Sequence, residues 1–209
     1  QLMVRDLARK ISREKVLPKR AEWDESGDFP REALQAFSEA DLCGLYLPEE
    51  YGGMGQSAFN FCLATEEISR VCGGVGVTFA ASALGAVPIL LFGSEEQKKK
   101  YLPEIAAGKK LAAFGLTEAN AGSDAGGIET TAKKEGDHYL LSGTKQWITN
   151  GGEAEVYTII AMTDKSKGAR GASAFIVEKD TPGFTFGKKE NKMGIRCSAT
   201  RELVFRIVK

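Results

Sequence analysis

The sequence contains few of the residue types that bind metal ions. His138 is the single histidine, and the four cysteines, Cys43, Cys62, Cys72 and Cys197, are far apart in the chain with no C-x-x-C pair. This set provides too few ligands at usable spacing for a zinc or iron–sulfur site, so we predict no metal site. We expect the cysteines to be reduced, buried thiols, as in a cytosolic or matrix-like compartment.

The sequence also lacks an excess of either charge. Lysine plus arginine and aspartate plus glutamate number 28 each, a balance that attracts neither nucleic acid nor an anionic membrane surface. Residues 73–93 have no charge at all, over a length that a membrane span requires. Pro88 interrupts this stretch, small residues dominate its first part and charged helical segments flank it. We therefore predict a helix buried on all sides in a bundle, and no membrane span.

The spacing of apolar residues changes from helical to extended near residue 110. Helices are predicted over 1–17, after Pro30, after Ser57, over 73–93, and from Ser94 to Gly108. After Leu111, alternating segments predict strands at 111–116, 130–134, 138–142, 156–162, 172–177, 184–186 and 203–208, with the segment that ends in 145–149 as a further extended piece. The pattern predicts an α+β chain, with a helical domain followed by a β domain.

Three features of the chain have ordinary structural explanations. Glu66 and Glu67 are adjacent on a helix and point about 100° apart, so they cannot converge on one atom and we expect both to be solvated. His138 lies beside a hairpin turn and is expected to be solvated too. The irregular apolar passage 45–53 fits a packed connection and an active-site segment equally well.

Two stretches have the composition of a cofactor site. Residues 115–127 leave an apolar strand and enter a turn rich in glycine and hydroxyl groups, where backbone N–H groups can approach an anion. Residues 145–151 end a strand on Trp147 and Thr149, which share a face if the segment is extended and suit a flat ligand. Each stretch alone is also typical of an ordinary turn or a core tryptophan.

Taken together, the two stretches closely resemble the flavin-binding middle domain of the acyl-CoA dehydrogenases, and butyryl-CoA dehydrogenase-like, short-chain members in particular. The resemblance rests on Gly-Leu-Thr-Glu at 115–118, Ala-Gly-Ser-Asp at 121–124 and Lys-Gln-Trp-Ile-Thr-Asn-Gly at 145–151. It extends to Phe-Gly-Ser-Glu-Glu-Gln-Lys at 92–98 and Met-Gly-Ile-Arg-Cys-Ser at 193–198. It implies an N-terminal α-helical domain over 1–111 and a β-barrel-like middle domain over 112–209. The family's C-terminal helical-bundle domain has no counterpart in these residues.

The resemblance also implies which residues bind the cofactor, FAD. Phe114, Leu116 and Thr117 would line the flavin ring. Gly122 and Ser123 would face the FAD diphosphate, with Ser123 also reaching the pantetheine arm of the substrate. Trp147, Ile148 and Thr149 would flank the isoalloxazine, with Thr149 as the hydrogen-bond donor near flavin N5.

The function implied by the resemblance is dehydrogenation of a short-chain acyl-CoA to a trans-2-enoyl-CoA, with electrons passed to an electron-transfer flavoprotein. No glutamate here matches the family's catalytic base, so these 209 residues are predicted to contain no catalytic residue and to be inactive alone. Glu118 is expected to accept local backbone hydrogen bonds. An acyl-CoA oxidase-like flavoenzyme and a non-catalytic flavin or acyl-CoA binding module stay open.

The resemblance further implies a homo-oligomer, a tetramer by family pattern. The chain begins in a charged helical pattern without the apolar segment of a secretory signal. We expect a cytoplasmic protein in preference to a mitochondrial matrix protein. We also expect these residues to be part of a longer polypeptide, because residues 202–209 form a strand pattern without a closing element.

Overall fold

The computed structural model describes residues 1–209, with helices in the first half and strands in the second. The helices are α1 (Leu2–Ile11, continued by a π-helical turn over Ser12–Val16), α2 (Arg20–Ser26), α3 (Arg31–Ser38), α4 (Ala58–Val71), α5 (Gly73–Phe92) and α6 (Glu95–Ala106). The strands are β1 (Ala112–Gly115), β2 (Thr131–Glu135), β3 (His138–Thr149), β4 (Val156–Met162), β5 (Ala172–Glu178), β6 (Phe184–Lys189) and β7 (Thr200–Val208).

Local signals set the ends of several helices. Ser94 and Gln97 form a reciprocal capping box at the start of α6, with Gln97 N–H donating to Ser94 Oγ at 3.2 Å and Ser94 N–H donating to Gln97 Oε1 at 2.9 Å. Gly108 follows α6 with a φ of +65°, which ends the helix as predicted. Helix α2 was not predicted, because its seven residues bury only Trp23 and leave too short a pattern to recognise.

Helix α5 joins the helical half to the sheet. Gly85 lies so close to β1 that a Cβ atom there would be 2.6 Å from the Ala113 nitrogen, and Thr158 Oγ1 donates to the Gly85 carbonyl at 2.7 Å. By length and a mean hydropathy of 2.1 the helix passes as a membrane span, but half of it is buried inside the protein. The prediction of burial on all sides is wrong, since Leu84 and Leu91 on one face are 62% and 61% exposed.

The strands form one curled, half-barrel sheet. The strand order is β1-β4-β2-β3-β7-β6, and β5 pairs with the other side of β4. Most neighbours are antiparallel, but β1 and β4 are parallel, and β2 meets β4 at the single pair Thr131 and Met162. The short β1 strand lies against α5. The residues that follow it, 116–118, contact Lys145 and Gln146 near the end of β3.

Two expectations about burial are wrong. Glu67 is not solvated: Arg9 Nε and Nη2 donate to its two carboxylate oxygens at 2.8 and 2.7 Å, and only 6% of its side chain is exposed. This hydrogen-bonded pair lowers the pKa of Glu67 against the opposing effect of burial. Of the cysteines only Cys197 is fully buried, and Cys62 is exposed. A residue's place on a helix face was readable from the sequence, but its partner from another helix was not.

The passage 45–53 is a packed connection. Leu45 and Leu47 are fully buried, and a Cβ atom on Gly53 would lie 2.1 Å from the Leu47 carbonyl oxygen. His138 sits at the β2–β3 turn, where its ring nitrogen lies 2.9 Å from Asp137 Oδ1. The structure gathers no group of three or more histidine, cysteine, aspartate or glutamate side chains that could hold a metal ion.

Candidate functional site

The first cofactor stretch is a turn whose outer residues are exposed and whose residues next to the sheet are buried. Gly122 and Ser123 face solvent, and no atom lies within 4 Å of the place where a Gly122 Cβ would be. Ala121 is buried and exchanges two backbone hydrogen bonds with Glu118, at 3.0 and 3.1 Å. The turn therefore presents bare backbone outward, as a diphosphate site requires.

Glu118 holds this turn to the sheet. Its carboxylate accepts hydrogen bonds from the backbone N–H groups of Glu129 at 2.6 Å and Thr130 at 3.0 Å. Glu118 therefore accepts from the backbone as predicted, but its partners follow the turn instead of lying within it. It also accepts from Lys145 Nζ at 2.7 Å, a partner that the sequence did not reveal. Burial alone would raise the pKa of Glu118, but these hydrogen bonds lower it below its ordinary value.

Lys145 is the counterpart of Glu118 on the second stretch. Its side chain is completely buried, and Nζ donates to the Leu116 carbonyl at 3.0 Å as well as to Glu118. Burial lowers the pKa of Lys145, while the adjacent carboxylate opposes that change and favours the charged ammonium. The 2.7 Å contact between Lys145 Nζ and Glu118 Oε1 makes the pair a buried salt bridge, with one partner on each stretch.

A backbone hydrogen bond joins the same two stretches. The Gln146 N–H donates to the Thr117 carbonyl at 2.8 Å. Together with the contacts of Lys145 to Leu116 and Glu118, this bond fixes residues 116–118 beside residues 145–146. The structure thus brings together the two pieces of sequence that are separated by the β2–β3 hairpin.

The backbone of the second stretch is not a regular strand. A β-bulge lies between Lys145 and Ile148 in the pairing of β3 with β7, and Trp147 has a φ of +57°. Residues 145–149 are therefore not a regular extended segment, and the alternation of a strand does not place Trp147 and Thr149 on one face. The bulge instead turns Trp147 outward, with 56% of the residue exposed. A buried residue separates Trp147 from Thr149.

That buried residue is Ile148, whose side chain is 3% exposed and packs in the core of the sheet. Its side chain is directed away from any ligand on the outer surface, so only its backbone is available there. Phe114, Leu116 and Thr117 are half-buried at the end of β1. The contacts of Lys145 and Gln146 bring Leu116 and Thr117 close to the second stretch. Contact of the eight predicted cofactor residues with FAD stays a prediction.

Asn150 ties the second stretch to helix α5. It is fully buried in a left-handed backbone conformation with a φ of +62°. Its Nδ2 donates to the carbonyls of Thr78 at 3.1 Å and Ala112 at 3.4 Å. Sequence reasoning missed both Asn150 and Lys145 as structural residues, because each depends on a partner from a distant segment of the chain.

A groove of about 540 Å³ opens beside Thr149, between α4 and α5. Its walls are mostly apolar and include Phe61, Val77, Ala80 and Leu84, and Thr149 is one of the polar residues that line it. An exposed aromatic ring, an open glycine turn and a threonine at the mouth of an apolar groove fit a flat, anionic cofactor such as FAD next to an acyl chain.

Two family models match the chain. The acyl-CoA dehydrogenase N-terminal domain matches residues 1–109, and the acyl-CoA dehydrogenase middle domain matches residues 113–208. The short-chain-specific acyl-CoA dehydrogenase of Clostridium acetobutylicum is 47% identical over 206 residues, which are 98% of this chain and 54% of that protein. The chain thus spans about half the length of the curated relatives it matches.

Solved structures of high similarity cover the whole fold. Butyryl-CoA dehydrogenase from Megasphaera elsdenii has a TM-score of 0.96 at 46% identity, over 100% of this chain and 56% of that one. A chain from work on the electron-transferring flavoprotein of Acidaminococcus fermentans and flavin-based electron bifurcation has a TM-score of 0.97 at 48% identity, over 100% and 55%.

A third solved structure contains the cofactor. Acyl-CoA dehydrogenase from Bacillus anthracis complexed with FAD has a TM-score of 0.91 at 43% identity, over 99% of this chain and 35% of that one. The matches to both family models and to these solved structures agree with the order of helical and sheet elements seen here. The chain belongs to the acyl-CoA dehydrogenase family and carries its N-terminal and middle domains.

Proposed function

We propose that this chain binds FAD and forms the flavin side of an enzyme that dehydrogenates a short-chain acyl-CoA to a trans-2-enoyl-CoA. The observation that carries the proposal is the contact of residues 116–118 with Lys145 and Gln146, on the strand whose last residue, Thr149, lines the apolar groove. Relatives named short-chain-specific acyl-CoA dehydrogenase and butyryl-CoA dehydrogenase support a short acyl chain in the substrate. A relative solved with FAD supports the cofactor.

Each part of the edge has a chemical task. Bound FAD supplies the acceptor for the hydride that leaves the acyl chain. Gly122 and its neighbours leave room for backbone N–H groups to approach the diphosphate, and Ser123 is exposed where it can bind the pantetheine arm. Trp147 covers a ring face and excludes water, while Thr149 donates a hydrogen bond where negative charge develops.

The proton chemistry has no candidate at this edge. Glu118 is occupied by Lys145 and two backbone N–H groups, and its carboxylate is 8% exposed, so it cannot reach a substrate carbon. We propose that the α-proton base comes from a domain beyond these residues and that residues 1–209 alone do not turn over. A positioned general base typically contributes about 10² to 10⁴-fold.

The first experiment identifies the cofactor and the substrate class. Purified protein is denatured to release its flavin. A longer form of the protein that includes the domain with the catalytic base is titrated anaerobically with butyryl-CoA and, separately, with octanoyl-CoA. We expect FAD and faster bleaching with butyryl-CoA. Release of FMN or of no flavin would contradict the cofactor assignment, and preference for octanoyl-CoA would contradict the short-chain assignment.

The second experiment tests Thr149. We expect Thr149→Ala to slow flavin reduction by about tenfold or more with little change in substrate affinity, because a preorganised donor acts on charge formed in the transition state. Thr149→Ser should restore most of the rate, and Thr144→Ala, an exposed threonine on the same strand, should leave it unchanged. Unchanged reduction by Thr149→Ala would remove this role.

Electron delivery and assembly complete the proposal. We propose an electron-transfer flavoprotein as acceptor, supported by the similarity to the Acidaminococcus chain, and a cytoplasmic homotetramer. The exposed apolar face of α5 supports further burial in a larger assembly. Rapid reaction of the reduced protein with oxygen would instead favour the oxidase-like alternative, and sedimentation velocity measures the oligomeric state.

A further inference from the structure

Two cysteines that are 125 positions apart in the sequence meet where α5 begins. Cys72 is the N-cap residue of α5 and is half-buried, and Cys197 is fully buried in the short segment before β7. Cys197 lies in the buried apolar cluster of the helical half, and Cys72 packs against that cluster from the start of α5. No role for this pair follows from the flavin site described above.

The backbone around the pair is adapted to the contact. Gly74, two residues after Cys72, has no Cβ, and a Cβ built there would lie 2.5 Å from Cys197 Sγ. The Cys197 sulfur therefore occupies space over the first turn of α5. The segment that carries Cys197 is held in place independently, since Arg196 donates from its backbone N and from Nε to Asp24 at 2.8 Å each.

We propose that Cys72 and Cys197 form a reversible disulfide when the protein meets a hydroperoxide. The position of the two residues distinguishes them from Cys62, which is exposed without a cysteine partner, and from Cys43, which lies elsewhere in the helical half. The bond would link the start of α5 to the strand-side segment before β7, and so join the helical and sheet halves covalently.

The chemistry balances in two steps. The Cys72 thiolate attacks one peroxide oxygen, giving the sulfenic acid and an alcohol or water after proton uptake. The Cys197 thiol then attacks the sulfenic sulfur, forming the S–S bond and releasing water. The hydroperoxide accepts the two electrons lost by the two thiols, and a dithiol reductant reverses the change.

The surroundings favour Cys72 as the attacking residue. Its hydrogen bond with Cys197 is the largest effect on its pKa, burial opposes it, and the N–H groups of Val75 and Gly74 at the helix start add to it, so that the pKa falls to about 6. The hydrogen bond with Cys72 and burial raise the pKa of Cys197, which keeps it protonated as the resolving thiol.

The experiment treats this chain with one equivalent of hydrogen peroxide, alkylates the remaining thiols and maps the peptides by mass spectrometry. We expect a Cys72–Cys197 cross-link, with Cys43 and Cys62 alkylated, and full reversal by dithiothreitol. Because the bond closes a loop of about 125 residues, the melting temperature should rise by several degrees, up to about 10 °C. Cys43→Ser/Cys62→Ser, the matched control, should behave as the wild type.

Two further variants separate the steps. Cys72→Ser should abolish the cross-link and the thermal shift. Cys197→Ala removes the main effect that lowers the pKa of Cys72, so Cys72 should oxidise more slowly and stop at a sulfenic acid that dimedone traps. If Cys197→Ala fails to fold, Cys72→Ser and the wild-type peptide map still decide the matter. A wild-type protein whose Cys62 oxidises first, or whose Cys72 reaches the sulfinic acid without a cross-link, would overturn the proposal.

Discussion

The two cofactor stretches are held in different ways. Residues 145–151 are built into the sheet: Ile148 and Thr149 pair with β7, and Asn150 is buried against α5. Residues 119–127 form no strand and are mostly exposed, and they are held to the sheet by the Glu118 carboxylate and by the packing of Ala121 against Ile128 and Met162. We call residues 145–151 the platform and residues 119–127 the lip.

This difference shows how the fold combines a fixed surface with an accessible one. A ring needs a rigid support whose donors do not reorganise, which a paired strand and a buried asparagine provide. A diphosphate needs unhindered backbone N–H groups, which exposed glycines provide. The Glu118–Lys145 pair connects the two at the point where they are nearest.

The largest expected effect comes from breaking that connection. Lys145→Met removes one partner of a buried pair and leaves Glu118 charged and unpaired, so we expect the free energy of unfolding to fall by roughly 3–5 kcal/mol in a urea titration. Lys133→Met, on the neighbouring strand, breaks an exposed pair and should change it by less than about 1 kcal/mol. Equal effects in the two variants would mean that the lip is held in some other way.

A smaller effect distinguishes a buried glycine of α5 that packs against β1 from an exposed glycine of the lip. Gly85→Ala places a Cβ atom 2.6 Å from the Ala113 nitrogen, so the backbone must shift and we expect a loss of about 1–3 kcal/mol. Gly122→Ala meets no atom within 4 Å and should leave the stability almost unchanged. We nevertheless expect Gly122→Ala to weaken FAD binding, measured by fluorescence titration; unchanged affinity would remove Gly122 from the diphosphate site.

The smallest effect is the pH dependence of the contribution that Glu118 makes to the free energy of unfolding. The pKa of Glu118 in the folded protein lies below its ordinary value of 4.5, so its contribution is complete above pH 4.5 and is lost as the pH falls through the lower, folded-state pKa. Glu67 has the same sign. We expect the stability difference between wild type and Glu118→Gln to be constant from pH 6 to pH 7 and to shrink below about pH 4.5. A difference that grows in acid would contradict this sign.

The sequence predicted the order of helices and strands well, and it predicted the side-chain contacts between distant segments poorly. The change of apolar spacing near residue 110, the capping box at Ser94 and the resemblance at 115–127 and 145–151 predicted the two halves and the cofactor edge. These signals are local in the chain. Lys145, Asn150 and the Arg9–Glu67 pair depend on partners from distant segments, and the outward turn of Trp147 depends on a bulge in the pairing with β7. Tertiary contacts of this kind leave no fixed spacing in one sequence.

The most direct test of the central claim is amide hydrogen exchange with and without saturating FAD. If the lip and the platform form one flavin-binding edge, peptides covering 116–123 and 146–150 should both become protected, while the β2–β3 hairpin at 133–139 should exchange as before. Protection of one stretch alone, or of neither, would contradict the account.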